Sequence, residues 1–143
     1  MSEQNLDIDP GLLAEFIDES LDMLSGLDAQ FVALEASPGD METVQSIFRP
    51  VHSVKGNSSF FGFGHVKTLA HELETLLDLV RKRVVSVTKP LIDILLQGVD
   101  RLKEILERAR QGQPEVDDEA DFNAFVEQVR AMASGDEAST EAV

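Results

Sequence analysis

Cysteine is absent from the 143 residues, which removes disulfides, thiolate metal sites and thiol nucleophiles from consideration. Positive charge is scarce: twelve Lys and Arg stand against twenty-seven Asp and Glu, for a formal charge of −15 and a pI near 4.4. Such a polyanion repels nucleic acid and anionic lipid alike, so neither is expected as a partner. No apolar run approaches the roughly 18 residues that span a bilayer. Met1–Asp9 is polar and acidic, with neither the basic start nor the apolar stretch of a signal peptide, and the expected setting is the cytoplasm. A phosphate loop of the Gly-x4-Gly-Lys-Ser/Thr kind is also missing, so no nucleotide of its own and no other cofactor is expected.

What is present is enough apolar material for a core, at 43% hydrophobic residues, arranged with helical spacing. Asp9-Pro10 reads as a cap followed by a first-turn proline. Leu13, Phe16, Ile17, Leu21, Leu24, Leu27, Phe31 and Leu34 then recur as one helix face, until Ser37-Pro38-Gly39 ends the run. Asp40 caps a second helix with Val44, Ile47, Phe48, Val51 and Val54 on its apolar face, ending by Gly62 or Gly64. A third carries Val66, Leu69, Ala70, Leu73, Leu76, Leu77 and Val80 and closes on Arg81-Lys82-Arg83, cations suited to a helix C-terminus. Thr88 and Pro90 open a fourth with Leu91, Leu95, Val99, Leu102 and Leu106, and a shorter fifth bears Phe122, Phe125, Val126, Val129 and Met132. Val84–Val87 has β character but is too short and isolated for a sheet. The expected architecture is an all-α antiparallel helical bundle over residues 10–133, a four-helix core with a fifth C-terminal helix. Residues 1–9 are expected as a flexible tail and 134–143 as an acidic disordered tail or linker.

The charge pattern has one gap. From Thr43 to His71 there is no Asp or Glu, yet Arg49, Lys55, Lys67 and all three histidines fall there. Crowding by core residues accounts for few charges of either sign. It does not account for anions leaving while cations stay, as a site for a phosphoryl group requires.

At about 100° per residue, His52 lies at the margin of the second helix's apolar face, beside Lys55, Gly56 and Ser59. On the third helix Lys67, His71, Glu74 and Asp78 flank the apolar stripe. A hairpin turning near Gly62 sets His52 level with His71 and Glu74 across the groove. A neutral imidazole, with a pKa near ~6.5, keeps one ring nitrogen free to attack phosphorus. A carboxylate such as Glu74 can take the proton of the other nitrogen and fix the tautomer. Lys55 offsets phosphoryl charge, and Gly56 clears space for a large partner.

The run Phe48-Arg49-Pro50-Val51-His52-Ser53-Val54-Lys55-Gly56, followed by Phe61-Gly62-Phe63 and His71-Glu72-Leu73-Glu74, resembles a histidine phosphotransfer (HPt) domain. It is most similar to the N-terminal P1 domain of CheA-type chemotaxis sensor histidine kinases. Phe16-Ile17-Asp18-Glu19-Ser20, Leu34-Glu35 and the five-helix count fit that subgroup, and the similarity covers about residues 10–132. The resemblance implies that His52 is the phospho-acceptor, Glu74 orients its ring, Lys55 stabilises the phosphoryl group and His71 joins the polar network. Gly56, Ser59 and Lys67 would face partners. Those partners would be an ATP-binding histidine kinase catalytic domain, in cis or in trans, and a response-regulator receiver domain. The isolated domain would be a monomer and a phosphocarrier, no enzyme on its own. Pro50, two residues before His52, departs from the pattern and is expected to kink the helix, at a cost of about 3 kcal/mol. Asn57 and Ser58 also replace smaller residues.

Two other functions compete. One is a metal site built from His52, His71, Glu72 and Glu74; His71-Glu72-Leu73-Glu74-Thr75 opens like a zinc-protease helix, but Thr75 stands where the second histidine belongs. The other is an acidic helical adaptor without phosphate chemistry. His65, beside Gly64, reads as a loop or cap residue, and Phe60, Phe61 and Phe63 as packing at the turn.

Overall fold

The computed structural model describes residues 9–135; the N-terminal tail up to Ile8 and the acidic segment after Gly135 lie outside the described residues. Six helical segments are described: α1 (Pro10–Ser25), α2 (Leu27–Ala36), α3 (Met41–Phe61), α4 (Gly64–Arg81), α5 (Lys89–Arg110) and α6 (Glu119–Ser134). Ser134, expected in the tail, is the last residue of α6, which Gly135 closes at a φ of 88°. Among the described residues there is no strand, and Val84–Val87 belongs to the connection between α4 and α5.

The helices begin where short polar side chains can serve their unpaired N–H groups. Asp9 accepts from the Gly11 amide at 3.3 Å, and Asp40 from the Glu42 amide at 3.1 Å. Thr88 accepts from Leu91 at 3.3 Å, and Asp118 from Asp121 at 3.0 Å.

The single first helix expected from the sequence is two. Gly26 interrupts it, its own amide bonding back to Asp22 at 3.2 Å. Leu24, Leu27, Phe31 and Leu34 are all buried, so the apolar stripe continues across the break and α1 and α2 form one wall of the bundle. Pro50 leaves α3 uninterrupted from Met41 to Phe61. The hydrogen bond that proline cannot make is the one to the carbonyl of Ser46, an exposed residue where water can replace it.

The turn between α3 and α4 decides the site's geometry. Gly62 sits at φ 80°, and the amides of Gly62 and Phe63 bond to the carbonyls of Ser59 (3.3 Å) and Ser58 (2.9 Å). This left-handed helix ending suits glycine alone among common residues at low cost, and it reverses the chain within three residues. α3 and α4 consequently pack along each other more extensively than any other pair. The α1–α2 wall lies against α3 and α5, and α4 against α3 and α5, closing a four-helix core; α6 docks on α4. Among the described residues, thirty hydrophobic side chains are buried in one continuous cluster, which at ~25 cal/mol per Å2 of apolar surface is the main stabilising term. At one point α5 comes so close to α4 that a side chain would force its neighbour to move: a Cβ on Gly98 would lie 2.6 Å from Cδ2 of Leu73.

Candidate functional site

Ile47, Val51, Val54 and Ser58 turn inward along α3, and this leaves His52 and Lys55 at the edge facing α4. Glu74 sits on the same seam of α4, next to the buried Leu73. Nδ1 of His52 donates to Oε2 of Glu74, and Nζ of Lys55 donates to Oε1 at 2.5 Å. Both carboxylate oxygens are therefore engaged. The Glu74 side chain is 12% exposed, whereas the imidazole is 60% exposed. Burial pushes the Glu74 carboxyl up, but the hydrogen bonds and charges of Lys55 and His52 outweigh it and hold the group below the usual carboxylate range.

With Nδ1 committed as a donor, the lone pair of a neutral ring resides on Nε2. A Cβ at Gly56, one turn further along α3, would meet nothing within 4 Å. Gly56, Ser59 and Lys67 are exposed, as a partner-facing surface requires. Ser58 is buried and returns its hydroxyl to the Val54 carbonyl at 2.5 Å; Asn57 is exposed.

Two expectations are corrected and one rival reading is set aside. His71 is exposed and takes no part in the hydrogen bonds joining His52, Lys55 and Glu74, because its position on α4 turns its side chain out of the groove. The four-residue metal arrangement is not assembled: Glu72 pairs with Arg130 of α6 at 3.1 Å, and the Lys55 ammonium occupies the carboxylate that a cation would need. Phe60 stays outside the core, 68% exposed with only an edge-on contact to Phe61 at 5.0 Å, while Phe61 and Phe63 stack on Phe16, at 4.7 and 5.9 Å between ring centres.

Sequence spacing missed two neighbours. Phe48, one turn before His52, stacks on the imidazole with centroids 5.8 Å apart and planes 10° apart. The Arg81 guanidinium lies 4.4 Å from the centre of the Phe48 ring and donates to Gln45 at 2.8 Å and to Asp78. Arg81 thus ties α3 to α4 instead of only balancing a helix end. His65 is a cap in a wider sense than expected. Its amide and that of Val66 donate to Glu115 at 2.9 and 3.1 Å, and Nε2 meets Glu119 at 2.9 Å, fastening α4 to the segment that leads into α6.

The Hpt domain profile matches residues 11–112, most of the bundle. The chain belongs to the Hpt family. The sensor histidine kinase CheAY of Helicobacter pylori is 30% identical over 125 residues, 86% of this chain and 16% of that protein. Across the curated relatives it matches, the chain spans only 14–18% of their length. Among solved structures, the phosphorylated P1 domain of CheA3 from R. sphaeroides, in complex with CheY6, has a TM-score of 0.77 at 30% identity. That match covers 87% of this chain and 96% of the P1 domain. The CheA phosphotransferase domain of Thermotoga maritima has a TM-score of 0.66 at 32% identity, covering 69% and 94%. This Hpt bundle extends past the family profile by α6.

Proposed function

We propose that this Hpt domain is the phosphocarrier of a chemotaxis-type signalling kinase, with His52 as the residue that carries the group. One observation supports this above the others: an imidazole with Nδ1 bound to a buried carboxylate, Phe48 stacked on one face, and 60% of its surface still open to solvent. A partner's ATP supplies the phosphoryl group. The Nε2–P bond forms as the bridging P–O bond of the γ-phosphoryl breaks, and ADP leaves with the electron pair. The ring keeps its Nδ1 proton and gains positive charge, which faces the Glu74 carboxylate. Lys55, held on the same carboxylate, stands one helical turn from His52 to offset the phosphoryl oxygens. In the second step an aspartate oxygen of a receiver domain attacks phosphorus, and the pair of the Nε2–P bond returns to the imidazole.

The domain contributes a nucleophile and its support, and catalysis belongs to the partners. Kinase domains in the matched CheA proteins, and the CheY6 receiver bound to one solved relative, support these two partner classes. Gly56, Ser59 and Lys67 form the approach surface for both. The carrier works as a monomeric unit in the cytoplasm, where ATP is at hand; no described helix is long and apolar enough to cross a membrane.

Incubation with a CheA-type catalytic domain and γ-labelled ATP tests the proposal. Acid-labile, base-stable label on the wild type and none on His52→Gln is the expected result. Undiminished label on His52→Gln would overturn it.

A further inference from the structure

The hydrogen bond to Glu74 fixes where Nδ1 sits, but one bond does not fix the plane of a ring that is otherwise mostly in water. A donor aimed at a carboxylate can still swing about the N–H···O line, and Nε2, on the far side of the ring, swings with it. A second restraint is present on α3 itself. The near-parallel Phe48 ring, four residues before His52, lies in the offset range favoured by stacked aromatics. Phe48 is in turn held: it is half-buried against the core, and Arg81 lies over it within cation–π range. Arg81 has little freedom, being bound to Gln45 on α3 and Asp78 on α4.

We propose that Phe48, braced by Arg81, is a positioning residue that sets the plane of the His52 imidazole and thereby the line along which Nε2 meets phosphorus. The proposal rests on the phosphotransfer function proposed above and names a part of it that hydrogen bonding alone leaves open. Glu74 selects the nitrogen; Phe48 aims it. Replacement of the flat ring by an apolar side chain of similar bulk leaves the core filled but frees the imidazole to rotate.

The experiment compares Phe48→Leu, Phe48→Tyr and Arg81→Gln with the wild type. Phosphorylation is measured with a CheA-type catalytic domain at saturating ATP, across a range of domain concentrations. Phe48→Leu should lower the maximal rate about three- to tenfold with KM within about twofold, and Phe48→Tyr should restore it. Arg81→Gln should fall between them. The His52 ring protons, shielded by the Phe48 ring in the wild type, should move downfield in Phe48→Leu and stay in place in Phe48→Tyr. Wild-type rate and ring-proton positions in Phe48→Leu would overturn the proposal, as would equal rate losses in Leu and Tyr that track the melting temperature. Absence of label on the wild type would instead overturn the phosphotransfer function itself.

Discussion

Glu74→Ala is the perturbation whose size the structure best defines. It removes a carboxylate that accepts from both His52 and Lys55. Hydrogen bonds to a charged group contribute about 1.5–3 kcal/mol, and an imidazole exposed to 60% places this one at the lower end. A loss of about 1.5 kcal/mol in holding the competent tautomer and in facing the ring's developing charge corresponds to about a tenfold slower phosphorylation. Stability should suffer less, because the Lys55 ammonium, 26% exposed, can turn to water. A fall of about 3–6 °C in Tm is expected, corresponding to about 1 kcal/mol. Glu74→Gln keeps an acceptor for Nδ1 but not the charge, and should lie between. The assay is the initial rate of label incorporation alongside thermal unfolding by circular dichroism. A wild-type rate in Glu74→Ala, or a rate loss no larger than the unfolded fraction, would refute the reasoning.

Other outcomes follow from the same geometry. Lys55→Ala should slow phosphoryl acceptance more than it lowers Tm; an equal loss of helicity would assign the lysine to architecture. The Glu74 carboxyl is held below its ordinary value, so the stability it confers is present above the unfolded-state pKa near 4.5 and is lost as pH falls through the lower folded value. The denaturation midpoint of the wild type should therefore lose its advantage over Glu74→Gln between neutral pH and acid, and a constant gap would contradict the pairing. Gly98→Ala gains about 1 kcal/mol of helix propensity but forces a Cβ to 2.6 Å from a fully buried Leu73. With overpacking costing about 1–3 kcal/mol, urea unfolding should show a net loss of about 1 kcal/mol, and a stabilised variant would show that α4 and α5 can separate freely. Glu115→Ala removes the acceptor for two amides at the start of α4 and should cost about 1 kcal/mol, with faster amide exchange at His65 and Val66 as the check.

Much of this was legible in the chain because it depends on local periodicity. Burial patterns such as Val44, Ile47, Val51 and Val54 are set by the 3.6-residue repeat, and the caps by residue types that compete for backbone N–H groups. The meeting of His52 and Glu74 was legible too, since a turn at Gly62 makes it a matter of counting equal distances along two helices; that Lys55 shares the same carboxylate was not. The break at Gly26 was not: the buried stripe from Leu24 to Leu34 runs across it, so periodicity carries no mark of the interruption. His71 was misplaced because a helix wheel cannot separate groove from water over one turn of α4. Arg81 on Phe48, and Glu115 under His65, join residues 33 and 50 positions apart, as the residue numbers give, and only the folded packing brings them together.

The imidazole's exposure and the vacancy above Gly56 have a chemical price. Phe48 covers one face of the ring, but at 60% exposure the imidazole leaves a group attached to Nε2 open to bulk water as well as to a docking protein. The phosphoramidate would then persist for as long as its own bond chemistry permits, unprotected by the bundle. For a carrier of the kind proposed, hand-over would have to outrun solvolysis, and the fidelity of the signal would become a race whose pace is set by how often the right acceptor arrives.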